Sequence, residues 1–228
     1  MEPYKEFSRR MATEYKLFQT AIFGRYQNVL MSSVTPFTIN KFVKEAHGLG
    51  SNLIGNFAKE IEQYRAELMA DTGNTAAAKE MDKKALAEAT YVVRSVIAQL
   101  TRRLRVVATD TSNMIGSEGV IAELFKKKMT SEELKTVDRA NRKWDSSRML
   151  EMAMNEFAYR SFILSEIRQL QQEGFTLAQV KYGDPEKTSR EIVFSIGDKS
   201  GKYQRLEEIW QKVFHPNATA KVVGYVQS

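Results

Sequence analysis

The chain has 228 residues, 43% hydrophobic and 10% aromatic, enough to bury a sizeable core in one large or two small domains, so disorder is not the default. Its 34 Lys and Arg against 28 Asp and Glu give a net charge of +6 and a pI near 9.3, which suits an anionic partner without proving one. With no cysteine and only His47 and His215, the chain has no disulfide, thiolate nucleophile, Cys-based metal site or histidine-rich centre, and no transition metal or cofactor is expected.

In chain order, Phe7, Met11, Tyr15, Phe18, Ile22, Tyr26 and Val29 recur three or four residues apart and make one stripe on a helix from Pro3 to Met31. Gly24 inside it marks either the close approach of a neighbour or a tolerated cost of about 1 kcal/mol. Pro36 disfavours helix in the residue before it, and a second helical region begins near Thr38. Phe42, Ala46, Leu49, Leu53, Phe57, Ile61, Tyr64 and Leu68 keep the helical period there. His47, Gly48, Leu49, Gly50 and Ser51 predict a kink or break in its middle, with Ser51 capping the second half and His47 a surface residue at the bend. After the turn-rich Asp71 to Thr75, a third helix runs from Ala76 to Ala108, so residues 1–110 read as a bundle of long helices joined by short turns.

The segments then shorten. Gly116 to Lys128 predicts a short helix, and Thr130 with Glu133 reads as a capping box opening another through Leu134 and Val137 toward Trp144. The central element of residues 111–228 is a helix from Asp145 to Glu173 with the highest apolar density in the chain. Asp145 is its N-cap, Gly174 its left-handed stop, and Glu156 and Arg160 an on-helix ion pair. Beyond Gly174 the period changes to two: Ala178 to Tyr182, Arg190 to Ile196 and Ala220 to Gln227 are strand candidates. Gly183 to Pro185 and Gly197 to Gly201 are turns, and Leu206, Ile209, Trp210 and Val213 mark a short helix before the last strand. The fold class expected is mainly α: a long-helix bundle with a small C-terminal α+β module.

No run reaches the roughly 20 apolar residues of a membrane span, and Met1, Glu2, Pro3 and Tyr4 lack the basic-then-apolar order of a secretion signal, so the chain is expected to stay where it is made. The basic residues cluster at helix ends: Arg102, Arg103 and Arg105, then Lys126, Lys127 and Lys128, then Arg139, Arg142 and Lys143. Two readings stand. Cations are favoured at helix C-termini by the dipole, worth roughly 0.3 to 1 kcal/mol each, which makes a solvated basic face. Clusters this close in sequence also suit a surface that contacts phosphates, making this a nucleic-acid-binding helical protein. No zinc finger, RNP signature or GxxG clamp accompanies them. Nor does GxxxxGK[ST], GxGxxG, HExxH or GxSxG occur, and no enzyme is expected.

His215, Pro216 and Asn217, followed by Ala218, Thr219, Ala220 and the strand Lys221 to Val226, resemble the closing motif of the phage head morphogenesis family, the Mu F-like minor head proteins. In that family a His-Pro-Asn-Cys-Arg-Cys run leads into a final strand. The order upstream is similar: a long helix, a Glu173-Gly174-Phe175 ending, a strand, a Gly-Asp turn, a second strand and a Gly-containing loop. The resemblance covers roughly residues 145–228, with Ala218 and Ala220 where the motif has cysteine, so a relative of this kind holds its sheet by packing and binds no metal. The other reading of His-Pro-Asn is an ordinary turn. What the resemblance implies is a virion structural protein, a minor head component acting in head assembly and DNA packaging or ejection. Its implied partners are the portal or capsid proteins and further copies of itself in the particle, with DNA also in reach. Its implied place is the virion, and the host cytoplasm during assembly.

Overall fold

The computed structural model describes residues 3–69, 76–114, 116–130, 135–138, 140–182, 192–197, 202–214 and 220–226. Its elements are α1 (Pro3–Met31), α2 (Pro36–Met69), α3 (Ala76–Ser112), α4 (Glu118–Lys128), β1 (Thr136–Val137), β2 (Lys143–Trp144), α5 (Ser146–Gln172), β3 (Leu177–Tyr182), β4 (Ile192–Ser195), β5 (Gln204–Arg205), α6 (Leu206–Val213) and β6 (Ala220–Gly224). The protein is therefore mainly helical with a small C-terminal sheet, as the change of period predicts. It divides into two compact units along its long helices, not at residue 110. One comprises Met1–Ser8, Ile61–Ala89 and Met152–Ser228, and the other Arg9–Glu60 and Thr90–Glu151.

The second unit carries the small hairpin β1–β2. Its core is the stripe read from the sequence: Met11, Tyr15, Phe18, Ile22 and Tyr26 are buried, with Phe42 and Phe57 of α2 and Val96, Leu100 and Leu104 of α3. Phe125 of α4 is fully enclosed, its ring 5.1 Å from Tyr26 and 6.0 Å from Phe42, both edge-on. Each such side chain removed from water stabilises the fold by about 1.5 to 3 kcal/mol.

The expected break at His47–Ser51 is absent: α2 is one uninterrupted helix. Gly50 is a packing residue, since a Cβ there would lie 3.0 Å from Ile97 Cγ2 and 3.1 Å from Thr101 Cγ2, so its bare backbone admits α3 at close range. The Ser51 hydroxyl donates to the His47 carbonyl at 3.1 Å, a back-bond within a continuing helix and not a cap. His47 is exposed, as expected, but lies within a continuous helix. Nothing approaches Gly24, which leaves the tolerated cost as its reading. The helix starts at Pro36, earlier than expected, because Thr35 and Thr38 exchange hydroxyl and N–H contacts (Thr35 N to Thr38 Oγ1, 3.0 Å; Thr38 N to Thr35 Oγ1, 3.2 Å) around a proline whose missing N–H costs nothing there.

A second correction concerns residues 135–144. The capping-box reading of Thr130 and Glu133 predicts a helix toward Trp144; the chain instead forms an antiparallel hairpin pairing Thr136 with Trp144 and Val137 with Lys143. Residues 131–134, Glu133 among them, lie outside the described residues.

The first unit carries the sheet. Asp145, in the other unit, starts α5 as expected, its Oδ1 accepting the Arg148 N–H at 2.9 Å. At the far end Gly174 has φ +90, with Phe175 N–H bonded to the Leu170 carbonyl (3.0 Å) and Gly174 N–H to Gln171 (3.1 Å), a Schellman stop. The sheet order is β5-β4-β3-β6, with β3 antiparallel to both neighbours and β4 parallel to β5, a two-residue strand the sequence pattern does not announce. Phe194 on β4 meets Phe214 edge-on at 6.2 Å, and Leu206, Ile209, Trp210 and Val213 bury the apolar face of α6. Above α5, Phe7 stacks on Tyr64 at 4.3 Å and lies 6.2 Å from Phe157. The predicted turns at 183–185 and 198–201 fall outside the described residues.

Candidate functional site

The hairpin is built by Asp138. Its carboxylate accepts the N–H groups of Ala140 and Arg142 (2.9 Å each) through Oδ1, and Arg142 Nε (2.7 Å) and Trp144 Nε1 (2.9 Å) through Oδ2. Those bonds, led by the Arg142 N–H, hold its carboxyl down to about 2. A side chain that captures this many local donors offers the backbone an alternative to helix, and Asn141 supplies the left-handed turn position at φ 59. The hairpin is pinned to α3 by Gln99, whose amide accepts from Val137 N–H and donates to the Val137 carbonyl, both at 2.9 Å. Below it the Thr136 and Ser146 hydroxyls meet at 2.6 Å, buried.

All nine basic residues singled out in the sequence belong to the hairpin-bearing unit. Several are engaged within it. Arg103 donates to the Lys135 carbonyl, Lys126 pairs with Glu123 at 2.9 Å, Lys128 with Asp110 at 2.6 Å, and Arg142 with Asp138 while lying 5.4 Å from the centre of the Trp144 ring. Arg102, Arg105 and Lys127 are exposed with no ion pair among the described residues, and Lys143 is exposed on β2. Arg94 joins Arg102 and Arg105 on the exposed side of α3, a member the sequence reading missed because it stands alone. Arg139 lies outside the described residues. Charge is unevenly divided: the hairpin-bearing unit holds 19 Lys and Arg against 11 Asp and Glu, the sheet-bearing unit 15 against 17.

A partly open cavity of about 230 Å³ lies in the same unit, between Ile22 and Phe23 of α1, Leu100 of α3, Met129, and the polar residues Lys135, Asp145 and Ser146. Beneath this part of the unit, burial pushes the Tyr15 phenol up to about 12, against the pull of Ser146. Among the described residues no group of three His, Asp or Glu could hold a metal ion, and no helix is long and apolar enough to cross a membrane.

His215, Pro216 and Asn217 lie outside the described residues; the strand after them is described. β6 pairs with β3 from Ala178↔Gly224 to Tyr182↔Ala220 and forms one edge of the sheet. Its outward carbonyl at Ala220 accepts the Tyr159 hydroxyl at 2.9 Å, and its outward N–H at Val222 donates to Glu166 Oε2 at 3.4 Å. Burial raises the Glu166 carboxyl, ahead of the opposing pulls of that N–H and of Lys221. Glu156 and Arg160 pair as their spacing predicts, and Arg160 also reaches Glu88 at 3.0 Å. The chain matches no family model, no curated protein and no solved structure.

Proposed function

We propose that the chain is a virion structural protein, a minor head component that works beside the portal or capsid during head assembly and DNA packaging or ejection. One observation carries the reading. The long helix α5, with which the resemblance to the Mu F-like proteins begins, grips Ala220, the first described residue after the His-Pro-Asn run, through Tyr159. Helix, Gly174 stop, paired strands and closing strand thus follow one another in the family's order and pack as one module. The module holds without cysteine: Phe194, Trp210 and Phe214 fill its interior, as Ala218 and Ala220 in place of the motif cysteines require.

The experiment is a density-gradient separation of particles from cells expressing the encoding genome, with nuclease treatment and mass spectrometry of the particle band. The chain should be found in heads at a low and fixed ratio to the major capsid protein, and deletion of its gene should yield defective heads. Complete, infectious particles lacking the chain would overturn the assignment.

A second reading, nucleic-acid binding by the hairpin-bearing unit, is favoured by the uneven division of charge and by the exposed Arg94, Arg102 and Arg105 on one side of α3.

A further inference from the structure

We propose that the outward face of α1 is a contact surface for a second copy of this chain, which lies antiparallel to the first about a twofold axis at Gly24. The inference rests on the exposed residues of that helix and not on the particle assignment.

Missing charge is the first observation. From Leu17 to Met31 the sequence holds one charged residue in 15, Arg25, where the chain-wide 27% would put about four. Arg25 is turned toward α2: it donates to the Ala21 carbonyl at 3.1 Å and lies 3.5 Å from Glu45. Phe18, Ile22 and Tyr26 on one side of α1 fill the core, yet the opposite side is not the charged face that a surface helix ordinarily turns to water. Leu17, Thr20, Gly24, Gln27 and Met31 are all exposed there, three and four residues apart in strict alternation, which is the period of a helix-pairing seam. Met31 is 77% and Leu17 64% exposed. These two large apolar side chains stand in water at the ends of a line about 21 Å long at 1.5 Å per residue.

Symmetry selects the occupant. Leu17 and Met31 lie seven residues either side of Gly24. In an antiparallel pair centred on Gly24, Leu17 of each copy therefore comes level with Met31 of the other, and Thr20 with Gln27. The Gln27 amide can donate to the Thr20 hydroxyl oxygen, whose own proton goes to the Lys16 carbonyl at 3.0 Å. Each contact is made twice, the self-complementarity that a twofold interface requires. Gly24 sits on the axis with nothing within 4 Å of its missing Cβ, so two bare backbones can approach closely there. Its helix cost of about 1 kcal/mol has no offset inside one chain and finds one in that contact. Charge argues the same way: the chain carries net +6, so copies repel wherever their cations meet, and the seam has none to oppose. A nucleic acid or an acidic partner finds no cation at these five positions.

Sedimentation equilibrium of the full chain between about 1 µM and 1 mM should show monomer and dimer, with a dissociation constant inside that range because the seam is short for a dimer interface. Gly24→Leu, which sets a branched side chain on the axis, should weaken association roughly tenfold or more. Leu17→Lys should weaken it as well, by replacing the apolar neighbour of Met31 with a cation. Adding Met31→Glu to Leu17→Lys should restore association, since an antiparallel pair brings each new cation level with a new carboxylate. All three positions are exposed, and unchanged far-UV circular dichroism should show that the variants keep the fold. A chain that stays monomeric throughout, or a dimer that Gly24→Leu and Leu17→Lys both leave unchanged, would overturn the proposal. So would failure of Met31→Glu to restore what Leu17→Lys loses, which would rule out the antiparallel pairing.

Discussion

The Tyr159 hydroxyl donates to the carbonyl of Ala220 at 2.9 Å, so that a residue in the middle of α5 closes the outer edge of the sheet where the last strand begins. Glu166, two turns further along the same face, accepts the outward N–H of Val222. An edge strand left bare is a template for pairing with another chain, and here helix side chains occupy two of its open groups. The alternation of the ladder explains why these residues are served: Lys221 and Val223 point their backbone groups at β3, Ala220 and Val222 point theirs away.

Tyr159→Phe should therefore destabilise the protein by about 1 to 3 kcal/mol, the cost of a buried carbonyl left without a donor. Glu166→Gln, which keeps an acceptor for the Val222 N–H, should cost less than Glu166→Leu. Urea unfolding of the three variants checks the order. A Tyr159→Phe midpoint indistinguishable from the parent would show that the edge bond adds nothing to stability.

Two glycines make opposite forecasts. A Cβ on Gly224 would lie 2.6 Å from the Phe175 ring, so Gly224→Ala should lose roughly 1 to 3 kcal/mol through overpacking, with Phe175→Leu in the same chain recovering part of it. Gly55, inside α2, has nothing within 4 Å of its missing Cβ, and Gly55→Ala should gain about 0.5 to 1 kcal/mol from helix propensity alone. Thermal melts of both variants should move in opposite directions, and a common direction would contradict the packing described at Gly224.

Alkaline pH should be destabilising through Tyr15. Burial lifts its phenol from an ordinary value of 10 to about 12, so the neutral form is favoured in the fold. The contribution is complete below pH 10 and is lost as pH rises toward 12, on the order of 2 to 3 kcal/mol by the upper end. Tyr64, raised further by burial, pushes the same way. Absorbance at 295 nm should show these phenols ionising only with unfolding, and Tyr15→Phe should flatten the alkaline limb. Early ionisation of all tyrosines in the intact fold would refute this.

Helices read well because their signals are local and repeated. The α1 stripe, the Asp145 cap and the Gly174 stop each depend on residues within a few turns, and all are found where the spacing places them. The errors come from signals whose meaning is decided at a distance. Gly50 has the look of a break until Ile97 and Thr101 are seen against it. The hairpin hides behind a capping-box pattern; its organisers are Asp138, with Asn141 three residues on as the only turn signal nearby, and Gln99, 38 residues before Val137. A two-residue strand such as β5 has no period to read. Of the basic clusters the sequence yields the members but not their partners: Asp110 for Lys128 and the Lys135 carbonyl for Arg103 emerge only from the fold.

Those partners change what a charge-removal experiment should give. If the clusters touch duplex DNA, each cation that no longer neutralises a phosphate should lower the slope of log affinity against log salt by about one. Replacing Lys126, Lys127 and Lys128 by Gln would remove three such cations if all were available, but Lys126 is paired with Glu123 and Lys128 with Asp110. Surface pairs of this kind are worth at most about 1 kcal/mol, enough to lower but not to forbid exchange for phosphate. The triple variant should thus flatten the slope by about one unit, chiefly through Lys127. Changing Arg94, Arg102 and Arg105 to Gln instead removes exposed cations with no ion pair among the described residues, from a single side of α3, and should flatten it by about two to three. Duplex binding measured at about 50 and 200 mM salt separates the variants. Equal flattening by both triples would mean that the ion pairs do not compete, and binding unaffected by either would leave the Lys126–Lys128 cluster as a solvated helix end and the α3 arginines as a solvated helix face, and turn the weight of the basic unit toward protein partners.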